Sequence, residues 1–100
     1  MARPRPKHHF TQSGGWINDP HGVVFDGDLW HLFFQSCPNS ISWVHDIEWG
    51  HATSPDLLNW QEAPVALRPL ADEVGCWSGS VVFDEAGTPR LFYTSPLPAE

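Results

Sequence analysis

Two stretches of this chain are near copies of one another. "VVFDGDLWHLFFQ", from Val23, and "VVFDEAGTPRLFYTS", from Val81, each run apolar, aspartate, turn, apolar. The second follows the first by about sixty residues, a spacing that signals repeated supersecondary units. In the first copy the Asp26-Gly27 pair predicts a tight hairpin turn. Residues 29–35 are rich in aromatic and apolar side chains and suit a buried strand. Residues 47–53 read as a third strand. "SPDLLNW", from Ser54, reads as a turn or a single helical turn, with Ser54 and Asp56 as local hydrogen-bonding residues. "WQEAPVAL" reads as a fourth strand at an edge or a bulge, because Pro64 cannot donate to a ladder. Four short antiparallel strands followed by the start of another set fit a β-propeller blade. Periodicity alone fits a jelly roll or a sandwich equally well. No helix of useful length is expected.

Ten prolines and eight glycines agree with short, interrupted elements. With 41% hydrophobic residues, a chain of 100 residues holds one modest core. Six tryptophans need either a core or a ligand whose C–H faces lie on their rings. The net charge is −7, and Arg3, Arg5 and Lys7 crowd into the leader expected over residues 1–15. Without a basic stripe, nucleic acid is an unexpected partner, and so is an anionic membrane surface. The leader has no apolar stretch after its basic residues, so it does not read as a secretory signal, and a cytoplasmic location is expected. Cys37 and Cys76 are expected to be thiols.

The stretch "GGWINDPHG" holds the first carboxylate of the chain, Asp19, between an amide and a proline. Aspartate before proline is pushed to extended backbone and favours turns, so a turn-forming role is the plain alternative to a chemical one. Asn18 and Trp16 could serve a sugar, as donor and stacking plane. "HDIEWGH" gathers His45, Asp46, Glu48 and His51. Strand alternation from residue 45 onward would put the two carboxylates on one face and the two histidines on the other, which splits a metal cluster. His51 and Ser54 are instead expected to hold the Trp-Gly-His-Ala turn. His8, His9 and His31 carry no separate signal.

Four motifs, in order, resemble glycoside hydrolase family 32, the family of invertases, levanases, inulinases and sucrose-6-phosphate hydrolases. "RPKHHFTQSGGWINDP" resembles its opening. "LWHLFFQSCPN" resembles its Tyr-His-Leu-Phe-Tyr-Gln strand. "WVHDIEWGHATSPDLLNW" resembles its Trp-Gly-His-Ala segment, and "GCWSGSVV" its Phe-Ser-Gly-Ser motif. The resemblance covers nearly the whole chain. It implies an all-β fold: the first blade (16–68) and the start of the second (69–100) of a five-bladed β-propeller with an axial funnel. It implies a retaining glycosidase acting on terminal β-D-fructofuranosides, with no cofactor. Asp19 would be the nucleophile. Asn18, Gln35, Trp43, Trp77 and Ser78 would bind the fructosyl unit.

Departures from the pattern matter as much. His21 stands where the family has asparagine, and is expected to alter local hydrogen bonding. Trp77 replaces phenylalanine. The family's Arg-Asp-Pro and Glu-Cys motifs, the second of which carries the acid/base, do not occur in these 100 residues, and no glutamate here precedes a cysteine. The chain is therefore expected to be incomplete as a catalyst and to need the remainder of a propeller or further copies of itself. A non-catalytic carbohydrate-binding or oligomerising module is the alternative. An arabinosidase-type propeller is disfavoured by the Trp-Gly-His-Ala and Trp-Ser-Gly-Ser segments.

Overall fold

The computed structural model describes residues 10–96. Arg3, Arg5, Lys7, His8 and His9, and with them most of the expected leader, lie outside the described residues. Six strands follow one another: β1 (Trp16–Phe25), β2 (Trp30–Cys37), β3 (Glu48–Ser54), β4 (Gln61–Leu67), β5 (Gly79–Phe83) and β6 (Pro89–Tyr93). The first four form one antiparallel sheet in sequence order; the last two form a hairpin.

The repeated Val-Val-Phe-Asp string is one turn device used twice. In the first copy Asp26 Oδ1 accepts the backbone N–H of Asp28 and of Leu29, both at 2.8 Å, and Gly27 takes φ 99°. In the second, Asp84 Oδ1 accepts from Ala86 N at 3.0 Å and Thr88 N at 2.9 Å, and Gly87 takes φ 81°. Each aspartate ends a strand and satisfies the turn's amides, while a glycine supplies the left-handed residue.

Three expectations need correction. Strand β1 begins at Trp16, not near Val23, so Asp19-Pro20 sits inside a strand and does not form a turn. The chain tolerates this because β1 is a sheet edge, where the missing proline N–H leaves no ladder bond broken. Pairing with β2 slips between Ile17 and Pro20 and again between His21 and Val24, which takes Asn18 and Asp19 out of regular register. The Trp-Gly-His-Ala segment is the middle of β3 rather than a turn. Only Ser54 serves the turn after it, its Oγ accepting from Leu57 N at 2.8 Å and Asp56 N at 3.2 Å. Finally, β3 starts at Glu48, so His45 and Asp46 lie before the strand and its alternation does not govern them.

Pro64 lies in β4 at the other edge of the four-stranded sheet. The core sits between the two sheets. Phe33, Trp49, Cys76 and Val81 are buried there, with Val24, Leu67, Leu91 and Tyr93 packed around them. Burying a side chain such as Phe33 stabilises by about 1.5–3 kcal/mol. Trp49 is completely buried, and its indole N–H donates to Trp77 O at 2.9 Å, so the ring leaves no unpaired donor. Gly22, at φ 65°, lies directly against Val81. A β-carbon there would strike the valine, so the glycine sets how closely β1 and β5 approach. On the opposite face of the four-stranded sheet Phe34 packs under Phe10, ring centroids 5.0 Å apart.

Candidate active site

The six residues singled out for sugar chemistry meet in three pairs. Asn18 Nδ2 donates to Gln35 Oε1 at 2.6 Å. Ser78 Oγ donates to Asp19 Oδ2 at 2.8 Å. The rings of Trp43 and Trp77 meet edge to face, centroids 5.8 Å apart. Asn18 and Asp19 are neighbours in β1, and Trp77 and Ser78 are neighbours in the segment entering β5. Three side-chain contacts, Gln35 with Asn18, Asp19 with Ser78, and Trp77 with Trp43, are thus joined through chain neighbours.

Each member has a reason to be held. The Asn18 amide is oriented by both of its ends, since its Oδ1 accepts from Trp16 Nε1 at 3.0 Å. Gln35 is buried in β2 at 5% exposure, so its carbonyl needs the partner that Asn18 supplies. Trp77 Nε1 donates to His45 O at 3.2 Å, which ties the loop before β3 to the segment before β5. Gly75 is required there, because a β-carbon would run into the same His45 carbonyl. The His45 ring in turn stands edge-on to Trp43 at 5.1 Å. Asp19 itself is exposed and accepts from the Ser78 hydroxyl at one oxygen, so its second oxygen and outer face are accessible to an incoming molecule.

His21 departs from what its position suggested. Both of its ring nitrogens are buried without a hydrogen-bond partner among the described residues. Its contact is instead ring to ring, 4.0 Å from Trp49. Burial lowers its pKa, and the nearby Asp19 charge pulls weakly the other way. The imidazole is therefore neutral near pH 7 and acts as an apolar prop beneath β1.

Three glutamates are engaged elsewhere. Glu48 accepts from Arg68 Nε at 3.1 Å, and Glu62 from Ser13. Glu73 accepts from Leu70 N, Tyr93 and Ser95, and this holds the Tyr93 hydroxyl up at about 12. Burial raises the Cys37 thiol and pushes Cys76 to about 11, so both sulfurs are protonated at neutral pH. Sequence motifs did not mark Gln12 or His45 as sugar-site residues, and they offered Trp16 only as a stacking plane, not as the donor that orients Asn18. Gln12 is buried and reaches the carbonyls of Gly14 and Trp16 and the hydroxyl of Ser36, which fixes how the chain enters β1. No pattern in the sequence announces such a strut. The signal for His45 is its backbone carbonyl, which side-chain motifs cannot encode.

Comparison with known proteins identifies the family. The profile of the glycosyl hydrolases family 32 N-terminal domain matches residues 9–99. The invertase of Schwanniomyces occidentalis is 46% identical over 93 residues, covering 91% of this chain and 17% of that protein. Invertase 2 of Saccharomyces cerevisiae is 46% identical over 90 residues, covering 88% and 17%. Among solved structures, the S. occidentalis β-fructofuranosidase complexed with fructosyl-erythritol superposes with a TM-score of 0.74 at 47% identity, covering 80% of this chain and 16% of that one. The Bombyx mori family 32 β-fructofuranosidase does so with a TM-score of 0.86 at 34% identity, covering 96% and 20%. The chain thus spans about a sixth of the length of the relatives it matches. Its antiparallel all-β fold is that of the β-propeller domain of these fructofuranosidases. The chain belongs to glycosyl hydrolase family 32, within the family's N-terminal domain.

Proposed function

We propose that this chain supplies the nucleophile and part of the fructose-binding wall of a retaining β-fructofuranosidase acting on sucrose, a sucrose phosphate or a fructan. In this reading the four-stranded sheet is the first blade, 16–68, of a five-bladed propeller, and 69–100 begin the second. Asp19 attacks the anomeric carbon of the fructosyl unit, and the resulting ester is later hydrolysed. Ser78, donating to one oxygen of Asp19, holds the carboxylate still and leaves the other oxygen for attack. Asn18 and Gln35 present oriented amides to fructosyl hydroxyls, and Trp43 and Trp77 line the pocket. The observation that carries the proposal is the hydrogen bond from Ser78 to Asp19, next to the Asn18–Gln35 and Trp77–Trp43 contacts made by their chain neighbours. A fructose-containing sugar is the small-molecule partner it fits.

Retaining hydrolysis needs a second carboxyl group roughly 5–5.5 Å from the nucleophile to protonate the leaving oxygen. A donor whose leaving group needs no proton isolates the role of Asp19. With β-D-fructofuranosyl fluoride, Asp19 attacks, the carbon–fluorine bond breaks and fluoride leaves. Peptide mass mapping of the 100-residue chain is expected to find a fructosyl ester on Asp19, absent in Asp19→Asn. An ester on another residue, or none in a folded chain that still binds fructose, overturns the assignment.

The outer face of the second sheet supports a further part of the reading. Val82 and Phe92 point away from the core and are 48% and 60% exposed. We take that face to be covered by the remainder of the propeller or by another copy of the chain.

A further inference from the structure

A cavity of about 400 Å³ lies between the two sheets, and Asp19 is not among its lining residues. Its wall carries three polar side chains in a row. Asp26 Oδ2 lies 2.6 Å from His31 Nε2, and His31 Nδ1 lies 2.9 Å from His51 Nε2. The three come from the β1–β2 turn, β2 and β3, so the row crosses three successive segments of the first sheet. The His51 ring is stacked on Phe33, centroids 4.5 Å apart and planes within 10°, which fixes its orientation. The rest of the lining is apolar. Facing residues are Ala66 from β4, Val81 and Phe83 from β5, and Pro89 and Leu91 from β6; none of them titrates. Glu62 of β4, near His51 in sequence pairing, is engaged with Ser13.

We propose that Asp26, His31 and His51 form a one-proton clasp that holds the β1–β2 turn to strand β3 across the cavity wall, accepts a single added proton and opens on the second. Asp26, already ionised, can only accept, so His31 Nε2 carries a hydrogen and donates to it. In the neutral pair His31 Nδ1 then accepts from His51 Nε2–H. An added proton binds at Nδ1 of His51. The Nε2 proton of His51 crosses to Nδ1 of His31 in the same exchange. One N–H bond forms at each end of the transfer and one breaks at His51 Nε2. The positive charge finishes on His31 beside the Asp26 carboxylate; the bond to Asp26 keeps its direction, and only the bond between His31 and His51 is reversed. A second proton has no such place. It must sit at His51 Nε2, facing the N–H of His31 2.9 Å away, so that two like charges meet on a ring stacked against Phe33. Burial, and next the His31 charge, hold the His51 pKa down. Because this folded value is lowered, the clasp contributes fully above the pKa of an unfolded histidine and is lost as pH falls through the lower folded value.

Imidazole-¹⁵N NMR of the full chain tests the clasp. At pH 8 both rings are expected as the Nε2–H tautomer. On acidification the first proton should move His51 to the Nδ1–H tautomer without charging it. The second uptake should coincide with loss of amide protection in the β1–β2 turn. In His31→Gln the titration midpoint of His51 should rise. An Nδ1–H tautomer for His51 at pH 8 overturns the proposal, as does a His51 midpoint unchanged in a folded His31→Gln. If that variant does not fold, the wild-type tautomers alone decide.

Discussion

At the residue scale, the position that most directly joins the site to the core is Gly22. It lies three residues after Asp19 in the same strand, at φ 65°, with Val81 where a side chain would be. Gly22→Ala adds a methyl group to a filled space and strains a left-handed backbone. It is expected to destabilise the chain by about 1–3 kcal/mol in urea unfolding. Combined with Val81→Ala, the loss should be clearly smaller than the two single losses added, because the second substitution removes the collision. Strict additivity would show that strain, and not the contact with Val81, makes glycine necessary. A second residue carries a binding prediction. Asn18→Ala leaves the buried Gln35 carbonyl without its donor and frees the Trp16 indole. The chain should lose about 1–3 kcal/mol of stability, together with the fructose-induced shifts of the Gln35 side-chain amide in NMR; retained shifts would detach Asn18 from the site. Family motifs singled out Asn18, Asp19, Gln35, Trp43, Trp77 and Ser78 as candidates because each is a side chain in a recognisable string. The tryptophans illustrate the limit. Composition could not say that Trp49 is wholly core while Trp43 and Trp77 meet at the site, since that division depends on which face of which strand each ring occupies.

At the element scale, the strands that alternate cleanly were legible and the irregular one was not. Strand β2 and the β5–β6 hairpin follow from aromatic and branched residues bounded by Asp and Gly. The first half of β1 carries Asn-Asp-Pro, which local propensity reads as a turn. Its strand state comes from pairing with β2 through two register slips, a long-range effect. The hidden partnership of His31 with His51 has the same origin: they sit twenty residues apart and meet only because β2 and β3 are neighbours. The turn between β3 and β4 gives a prediction with a defined pH range. Asp56 accepts from the backbone N–H groups of Asn59 and Leu58 and from the Asn59 side chain, and these hold its carboxyl at about 2. The folded value lies below the ordinary 3.8, so the ionised form is favoured in the fold. Its stabilisation is complete above 3.8 and disappears as pH falls through about 2. Asp56→Ala should therefore lower the urea midpoint near neutral pH, and the gap to the wild type should shrink progressively in acid. A gap that stays constant with pH would mean that the turn depends on the shape of the side chain and not on its charge.

At the scale of the whole molecule, the described chain is a slab, with principal extents of 49 × 46 × 17 Å. The two sheets share one buried core of Phe33, Trp49, Cys76 and Val81. The site lies along the edge of that core, which is why it draws Asn18 and Asp19 from one sheet and Ser78 from the approach to the other. Such an edge can fix a nucleophile and a sugar. Among the described residues Glu48, Glu62 and Glu73 each hydrogen-bond partners other than Asp19, and the one side chain bonded to Asp19 is the Ser78 hydroxyl, not a carboxyl group. The chemistry then separates into two measurable parts. Sucrose hydrolysis requires protonation of a poor leaving group, a contribution of about 10²–10⁴ in rate. Fructosyl transfer from a fluoride to Asp19 does not. The 100-residue chain is therefore expected to release glucose from sucrose at least that many times more slowly than a complete family 32 enzyme, while its ester formation from the fluoride is impaired much less. Glucose release and fluoride release, measured on the same preparation, give the two rates. Equal impairment of both would place the deficit in the positioning of fructose. Sucrose turnover at the rate of a complete enzyme, with a bell-shaped pH profile, would require an acid within these residues and would overturn the division of labour between Asp19 and a carboxyl group outside the described site.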